Sequence, residues 1–330
     1  METPNRQYLG VDVGSKELFI SQSIEQPRDK FLKLPAQKIT NTVEAINQWI
    51  ETLSPEIHVI FESTGTYSLP LAYCLEVADV TFTVITPSQS SGYAQSKNVI
   101  NRNDEIDASL LAYYGASNHP ERTTLESESL HHLKQKRRHL ASLMQQKQVV
   151  DNQLHALSFD SKADKEVLSS LQLLQETFTI QIQQFKEEIF SLSDDQYNHV
   201  YQLMTTVVGI GDASANAIII ATNGLENFSN VKQVLKFVGI IPKEKDSGTT
   251  VRKKYGIAKS GVAFVRSTLY NAAKSAKRFN WACKNIYERL RSKGKCHKVA
   301  MIAVINKLIR QVFAVVKSNT NFDNNFELAK

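Results

Sequence analysis

The 330-residue sequence contains only three cysteines, Cys74, Cys283 and Cys296, and they are widely separated along the chain. Three scattered thiols are too few for a disulfide framework or a zinc module. The sequence shows no apolar run near the ~20 residues that a membrane-spanning helix needs, and residues 1–7 lack the apolar core of a signal peptide. These absences predict a protein of the reducing cytoplasm that has no membrane partner.

Acidic residues are scarce in one long stretch of the chain. Residues 252–310 include sixteen lysines and arginines but a single acid, Glu288. That stretch carries +15, so the rest of the chain carries −9 of the net charge of +6. This segregation predicts a polyanion-binding surface in the C-terminal part. The alternative is a solvated basic face with no ligand.

The first 118 residues alternate strand-like and helix-like patterns. Helices are predicted at residues 43–53, 69–77 and 104–116, and strands at 8–13, 18–23, 30–34, 58–62 and 81–86. Three early strands followed by alternating helices and strands indicate a mixed α/β sheet.

A different pattern follows from residue 126 to residue 192. Apolar residues recur every seven positions, as at Leu133 and Leu140, at Leu143, Val150 and Leu157, and again at Leu171, Phe178 and Phe185, with a break at 158–161. A second series of the same spacing contains Leu168, Ile182 and Ile189 and is interrupted by Gln175. The spacing predicts a helical hairpin or a coiled coil, within one chain or between two. Two ordinary packed helices are the alternative. Residues 197–330 then predict mainly helices, at 203–208, 213–221, 232–238, 262–277, 281–291 and 298–316, with a loop over 239–252.

Four acids in the first third of the chain stand in unusual contexts. Asp12 lies in the middle of an apolar strand, Glu62 ends another, and Asp104 and Asp107 are one helical turn apart. Carboxylates are costly to bring together unless a cation neutralises them. The pattern therefore predicts a divalent-metal site for phosphodiester chemistry. It also fits an RNase H-like sheet, which carries one Asp in mid-strand, a Glu at a neighbouring strand end and acids on a following helix. Capping or solvated acids are the alternative.

Two further motifs carry weaker signals. Gly209-Ile210-Gly211 between two helices resembles a helix-hairpin-helix, whose main-chain N–H groups bind phosphate, although a simple helical corner has the same pattern. Ser247, beside Gly248, is accessible in a glycine-containing loop that leads into three basic residues. From chemistry alone, that serine is part of a turn.

Together these residues resemble the DEDD transposases of the IS one-ten insertion-sequence family, which includes the Piv-type DNA invertases and the bridge-RNA-guided recombinases. The motifs stand in family order and cover nearly the whole chain. The matching segments are GVDV at 10–13, FESTGTY at 61–67, NDEIDA at 103–108, VGIG at 208–211, FVGIIP at 237–242, SG at 247–248, KSG at 259–261 and RSTLY at 266–270.

The resemblance implies a RuvC-like (RNase H-like) α/β domain over residues 1–122, a coiled-coil arm over 123–195 and a mainly α-helical transposase domain over 196–330. It implies that Mg²⁺ is bound by an acidic tetrad. It also implies a nucleophilic serine that forms a phosphoserine link to DNA. The tetrad maps onto Asp12, Glu62, Asp104 and Asp107, and the nucleophile maps onto Ser247.

The implied partners are donor and target DNA, a structured non-coding RNA in many members, and further copies of the chain. In the family, the acidic site of one protomer is thought to meet the serine of another, so a dimer or tetramer is expected. The expected nucleic-acid contacts are Gly209, Gly211, Arg252, Lys253, Lys254, Lys259 and Arg266.

The chain departs from the family pattern in two places. Many relatives have Lys-Thr-Asp where this chain has Arg102-Asn103-Asp104. Arg102 keeps the charge but not the ammonium geometry, and neither change is expected to touch a proposed metal ligand. Thr249 and Thr250 stand where serines are frequent, and Thr249 is the less favourable alternative nucleophile because its β-carbon is branched.

Four other functions fit parts of the pattern. A Piv-like invertase would act without an RNA guide, and a RuvC-like junction nuclease would use the same acids with water as nucleophile. An actin-like ATPase would explain Asp12-Val13-Gly14-Ser15, but the second phosphate motif and the adenosine motif of that class are missing from the sequence. A transposase-like binding module without catalysis would not need all five site residues.

Overall fold

The computed structural model describes residues 6–26, 30–191, 195–247, 251–258 and 261–324; for residues 190, 195–196, 242–247 and 251–255 it describes the main chain only. The chain forms two compact units, Met1–Leu125 and Glu126–Lys330. The helices of the predicted arm belong to the second unit. The finer division at residues 122 and 195 stays a prediction.

The first unit is built on a five-stranded sheet. Its strands are β1 (Gln7–Val13), β2 (Glu17–Ser21), β3 (Ala36–Thr40), β4 (Ile57–Glu62) and β5 (Thr81–Ile85), and its helices are α1 (Val43–Ile50), α2 (Leu69–Val77), α3 (Pro87–Ser96) and α4 (Asp104–Asn118). The strand order is β3-β2-β1-β4-β5. β1, β2 and β3 pair antiparallel, whereas β1, β4 and β5 pair parallel. The predicted mixed α/β sheet is confirmed.

Side-chain alternation gives the central strands two different faces. Val11 and Phe61 pack in one core cluster with Leu71 and Leu75 of α2. Tyr8 and Ile60 pack in another, with residues of α4. Because both faces of β1 and β4 are covered, these strands read as nearly continuous apolar runs.

The predicted third strand is wrong by six residues. Residues 31–35 form no strand, and the strand that pairs with β2 is Ala36–Thr40. Leu34 is apolar for a different reason: it packs against Ala112 and Tyr113 of α4, and its N–H donates to Ser109 Oγ at 3.0 Å. A short apolar run that fills a gap beneath a helix has the same sequence signature as a strand.

Helix α3 was not predicted, because its sequence is polar and has no apolar period. Its start is nevertheless encoded locally. Thr86 caps the helix, Gln89 completes a capping box, and Pro87 occupies the first turn, where its missing N–H costs nothing.

The second unit is mainly helical, as predicted. Its elements are α5 (Glu128–Leu157), α6 (Lys165–Phe190), α7 (Asp195–Thr206), α8 (Asp212–Thr222), α9 (Val231–Val238), β6 (Pro242–Ser247), β7 (Val251–Ile257), α10 (Ala263–Phe279), α11 (Trp281–Ser292) and α12 (His297–Ser318). The prediction of a loop over 239–252 is wrong, because β6 and β7 form an antiparallel hairpin there.

Helices α5 and α6 pair with each other along the predicted heptad positions. Leu140 and Leu143 of α5 are buried against Ile182 and Ile189 of α6. Gln175, which interrupts the apolar series, donates to Asp151 Oδ1 at 2.6 Å. The pairing within one chain accounts for the heptads. A supercoil, or pairing with a second chain, stays a prediction.

Helix α12 is long and apolar enough, by length and composition, to cross a membrane. Lys307 and Arg310 interrupt this stretch, and for that reason the sequence alone shows no such run. In the structure, Met301, Val304 and Leu308 of this helix are fully buried in the main core of the second unit. A central core helix acquires this composition through burial in protein.

Candidate active site

Asp12 and Glu62 lie side by side on one face of the sheet. The parallel register of β1 and β4 pairs Val11 with Phe61, so the next residue along each strand is the acid. Alternation places both acids opposite to Val11 and Phe61, on the face that packs against α4. The sheet therefore fixes two carboxylates at neighbouring positions.

Gly10 allows helix α4 to lie directly on β1. A Cβ at Gly10 would stand 1.9 Å from the carbonyl oxygen of Ala108 and 2.5 Å from the nitrogen of Ala112. Only a residue without a side chain permits this approach. Asp107 directly precedes Ala108, so the close packing brings the first turn of α4 to the sheet face that carries Asp12. This role of Gly10 was missed from the sequence, where the signal for it was a lone glycine inside a strand pattern.

The first turn of α4 carries Asp104 and Asp107. Asn103 caps the helix by accepting a hydrogen bond from the Ile106 N–H at 2.9 Å. Acidic side chains are stabilised at a helix N-terminus by the helix dipole. The capped start of α4 thus positions two carboxylates, and the helix dipole offsets part of their charge.

Asn41 ties together the segments that follow the two acid-bearing strands. Its Nδ2 donates to the carbonyl oxygen of Gly14 at 2.9 Å and to that of Tyr67 at 3.0 Å. Gly14 follows β1, and Tyr67 lies shortly after β4. The bridge therefore limits the motion of the chain at the C-terminal ends of β1 and β4, where Asp12 and Glu62 stand. Nothing in the sequence pattern singled out Asn41.

The electrostatic state of Asp12 reports how close the four acids are. The pKa of Asp12 is raised from its ordinary value of 3.8 to about 6, first by burial and then by the nearby charges of Asp107, Asp104 and Glu62, in that order. Arg102 acts in the opposite direction. Like charges raise a carboxyl pKa only when they are near. The structure thus brings the four sequence-predicted acids into one electrostatic cluster.

Arg102 corrects one expectation from the sequence. Its Nε donates to Asp107 Oδ1 at 2.7 Å, so the departure from the family's lysine does touch a proposed ligand. Glu105, which stands between the two acids, forms an ion pair with Lys33 instead. Asp107 is therefore held by a guanidinium, and Glu105 is held away from the cluster.

A hard divalent cation fits this cluster in chemistry and charge. Carboxylate oxygens are the donors that Mg²⁺ uses. Burial is the main cause of the raised pKa of Asp12, and the charges of Asp107, Asp104 and Glu62 add to it, so a cation would relieve that part of the shift. Within the described residues, however, no three His, Cys, Asp or Glu side chains are arranged to hold one metal ion. Asp107 instead directs its Oδ1 to the guanidinium of Arg102.

Ser247 is the last residue of β6, and its main chain pairs with Val251. Its side chain, like those of Arg252, Lys253 and Lys254, lies outside the described part of the structure, as do residues 248–250 and Lys259. The main-chain register sets Arg252 opposite Asp246, Lys253 opposite Lys245, and Lys254 opposite Glu244.

The two glycines of the helical corner have different surroundings. Gly209 has φ +104°, and a Cβ there would stand 2.6 Å from the Cβ of Ala276, so this glycine is packed against α10. Gly211 is open and begins α8. Asp212 in the first turn already supplies an anion to that helix end, and Tyr201 OH donates to it at 2.8 Å. The packing accounts for Gly209 without a phosphate.

Arg266 is half-buried rather than freely exposed. Its Nη1 donates to the carbonyl oxygen of Val238 at 2.7 Å. A nucleic-acid contact was expected at this position from the sequence, whereas the structure places the guanidinium against the end of α9.

Comparison with known proteins finds the same family of transposases in both units. A family model for DEDD transposases of the IS110 type matches residues 9–157, and one described as the Transposase IS116/IS110/IS902 family matches residues 201–288. The chain belongs to the IS110 family of transposases. The first match spans all four acids, and the second spans Ser247 and most of the basic residues. This transposase is thus a DNA-recombining enzyme, and the family expected from the motifs is confirmed.

Two similar relatives carry the name pilin gene-inverting protein. The one from Moraxella bovis is 27% identical over 274 residues, which cover 81% of this transposase and 82% of the relative. The one from Moraxella lacunata is 26% identical over the same shares. An uncharacterised insertion element IS110 protein from Streptomyces coelicolor is 20% identical over 122 residues, which cover 37% of this chain and 30% of the relative.

Replacing Gly10 with alanine in this transposase should destabilise the first unit by about 3 kcal/mol, the upper range for overpacking, because the new methyl group meets main-chain atoms of α4. In a Trp281→Phe background Trp49 is the only tryptophan, and it is buried in this unit. Its fluorescence in a denaturant titration measures the loss. Gly92→Ala is the matched control, since a Cβ there meets nothing within 4 Å and an alanine in a helix is favourable. Equal stabilities for the two variants would contradict the close packing.

Proposed function

We propose that this transposase is a site-specific DNA recombinase that cuts and rejoins strands through Ser247, assisted by Mg²⁺ bound at Asp12, Glu62, Asp104 and Asp107. One observation carries the proposal: Asp12 and Glu62 stand side by side on β1 and β4, and burial together with Glu62, Asp104 and Asp107 raises the pKa of Asp12. An RNase H-like fold is part of the proposal. It is supported by an Asp within β1, a Glu at the end of β4 and acids on α4.

The residues of the cluster have separable tasks. Asp12 and Glu62 are fixed by the sheet, whereas Asp104 and Asp107 are fixed by the capped first turn of α4. These four carboxylates would hold a divalent cation, which would supply positive charge to orient and polarise the scissile phosphate. Arg102 holds Asp107 through Oδ1.

The proposed strand exchange conserves phosphodiester bonds. The Ser247 hydroxyl attacks the phosphorus, a new serine–phosphate ester forms, and the bond to one deoxyribose oxygen breaks. That oxygen leaves as a hydroxyl after taking up a proton. A hydroxyl of the partner strand then attacks the phosphoserine and releases Ser247. Because each step exchanges one ester for another, no energy-rich cofactor is needed.

Exposed cations on helices α10 to α12 support DNA as the partner. Eight of them form no ion pair within the described part of the chain: Lys274, Arg278, Lys284, Arg289, Arg291, Lys298, Arg310 and Lys317. Unpaired cations on neighbouring helices suit the phosphate backbone, and binding through them should weaken steeply with salt. The hairpin adds to this charge, because its main-chain register sets Lys245 directly opposite Lys253. Like charges opposite each other destabilise a hairpin, and a phosphate nearby would offset that repulsion.

DNA inversion is the outcome that we propose, with insertion as the second candidate. The observation that favours inversion is the match over 81% of this chain to proteins named as pilin gene-inverting. A structured guide RNA belongs to the insertion candidate, since the family resemblance implies one in many members. Sequencing the RNA that co-purifies with the protein separates the two, because only the guided enzyme should carry one discrete species.

Long-read sequencing of cells that express the transposase tests the recombinase function whatever the target sequence is. Wild type should produce rearrangements with shared junction sequences at least ~100-fold above Glu62→Gln, as expected when a catalytic electrostatic group is removed. Inverted segments support inversion, and new copies of one element support insertion. Equal junction counts for wild type and Glu62→Gln would refute the proposed function.

A further inference from the structure

The position of Ser247 depends on a hairpin that has little support of its own. β6 is six residues long, so at about 3.3 Å per residue Ser247 stands roughly 17 Å from the start of the strand. Its main-chain pair with Val251 is at the far end of the ladder from Pro242. A two-stranded ribbon is only marginally stable alone. The base of the hairpin must therefore determine where the serine is presented.

The two chain segments at this base touch through glycines. Ala258 N donates to the Ile241 carbonyl oxygen at 2.9 Å and closes the ladder. Just outside it, a Cβ at Gly239 would stand 2.7 Å from Gly261 N, and a Cβ at Gly261 would stand 1.9 Å from the Phe237 carbonyl oxygen. Gly239 also has φ +77° as the cap that ends α9. Neither position accepts a side chain, so the crossing is tight.

Arg266 reaches this crossing from the first turn of α10. Its Nη1 donates to the Val238 carbonyl oxygen at 2.7 Å, and the same atom would stand 2.9 Å from a Cβ on Gly239. The Val238 carbonyl is among the last four of α9, which have no partner within the helix. A cation at a helix C-terminus is also favoured by the helix dipole. One side chain thus joins the end of α9, the hairpin base and the start of α10.

We infer that Arg266 is a positioning residue that clamps the base of the serine-bearing hairpin and does not contact DNA phosphate. The inference rests on the proposed function for the meaning of Ser247, but the clamp itself is a property of the DNA-free protein. Loss of the guanidinium would loosen the junction between α9 and α10, and the far end of the hairpin would move most.

Arg266→Gln separates a clamp from a phosphate contact through three measurements. Hydrogen exchange of the hairpin amides 243–257 in the DNA-free protein should speed up about tenfold, the effect of losing one charge-assisted hydrogen bond. The rate of covalent adduct formation on DNA should fall about 10–100-fold, as for a misplaced reacting group. DNA affinity and its salt dependence should stay unchanged. Arg266→Lys, which keeps a donor and the charge, should restore part of the adduct rate.

Lys274→Gln is the matched control on the same helix. Lys274 is exposed, and its Nζ donates only to Asn271 Oδ1 among the hydrogen bonds of the described residues. This variant should leave hairpin exchange unchanged and reduce the salt slope of DNA binding by about one, the effect of losing one phosphate contact. Unchanged exchange in α12 shows that either variant has folded.

The inference is overturned if Arg266→Gln leaves hairpin exchange at the wild-type rate, or if it lowers the salt slope as Lys274→Gln does. A different result overturns the proposed function: an adduct that still forms with Ser247→Ala. If Arg266→Gln speeds hairpin exchange and Ser247→Ala still forms the adduct, Arg266 is a clamp of the hairpin, but the serine of that hairpin is not the nucleophile.

Discussion

Asp12→Asn should stabilise the metal-free transposase at pH 7.5 while it abolishes strand cleavage. The pKa of Asp12 is about 6 instead of 3.8 because of burial and the three neighbouring acids. Above pH 6 the folded protein must therefore carry a charge that its surroundings disfavour. If the whole pKa shift were converted into free energy, Asp12→Asn would stabilise the folded state by about 3 kcal/mol. Since the side chain is only half-buried and solvent screens its charge, we expect about 1–2 kcal/mol.

The pH dependence of this gain follows from the raised pKa. Between pH 3.8 and pH 6 the folded state holds a proton that the unfolded state releases. Wild-type stability therefore falls as pH rises through that window, and the loss is complete above it. Asparagine has no such titration. The difference between Asp12→Asn and wild type should accordingly be close to zero at pH 4 and largest above pH 6.5.

Trp49 fluorescence in denaturant, in the Trp281→Phe background, measures this difference at each pH. Glu105→Gln is the matched control, since it removes an acid from the same helix turn that is already paired with Lys33. We expect it to give no gain at any pH. If Asp12→Asn leaves the free energy of unfolding at pH 7.5 unchanged or lowers it, the surroundings of Asp12 do not disfavour its charge, and the prediction is wrong.

The second half of the prediction is a loss of cleavage by about 10³-fold for Asp12→Asn, as when a principal electrostatic group is removed from an active site. Mg²⁺ should raise the unfolding midpoint of wild type, because a ligand of the folded state stabilises it, and should not raise that of Asp12→Asn. Stability and activity would then change in opposite directions at one residue. A purely structural carboxylate would not behave in this way.

The acids of the candidate site were easier to find in the sequence than the residues that hold them in place. Asp12, Glu62, Asp104 and Asp107 were visible because acids in apolar strands and in one helical turn contradict their surroundings. Gly10 and Asn41 were not, because one acts by having no side chain and the other through two main-chain carbonyls. Such roles depend on how closely two elements pack in the folded protein, and the periodicity of a local sequence pattern does not show that.

Local patterns failed in the fold for similar physical reasons. Leu34 looked like a strand residue because packing beneath α4 and packing within a sheet select the same side chains. The hairpin of β6 and β7 looked like a loop because its strands contain many charged residues, and apolar and polar residues alternate only weakly along them. The contact of Arg266 with phosphate stays a prediction from its basic stretch, and our inference of a clamp depends instead on its hydrogen bond to the main-chain carbonyl oxygen of Val238.

Ser247→Ala should remove the covalent protein–DNA adduct entirely, to below about one part in 10³ of wild type, because no other group would then be placed to replace the lost oxygen. Trypsin cleaves after Lys245 and Arg252 and releases a single peptide, residues 246–252, that contains Ser247, Thr249 and Thr250. Fragmentation of that peptide from the wild-type adduct locates the nucleotide on one of the three hydroxyls. We expect it on Ser247.

Thr249→Ala is the matched control, and it should form the adduct at the wild-type rate. An adduct on Thr249, or one that survives in Ser247→Ala, would contradict the serine mechanism. A third result has its own meaning: cleavage by Ser247→Ala that leaves free DNA ends would show that water attacks at the acidic cluster, as in a RuvC-like nuclease.

Mixing two inactive variants then tests whether one protomer's serine serves another protomer's acids. Asp12→Asn retains a working serine, and Ser247→Ala retains a working acidic cluster. If each active site is shared between protomers, a mixed dimer contains one site in which both the serine and the acids are intact. Half of randomly assembled dimers are mixed, and each has one of its two sites restored. The mixture should therefore form up to about a quarter of the wild-type amount of adduct. If each chain supplies its own serine, the mixture should form no adduct at any ratio. Recovery would therefore require an oligomer for the chemistry itself, because neither variant alone contains a complete site.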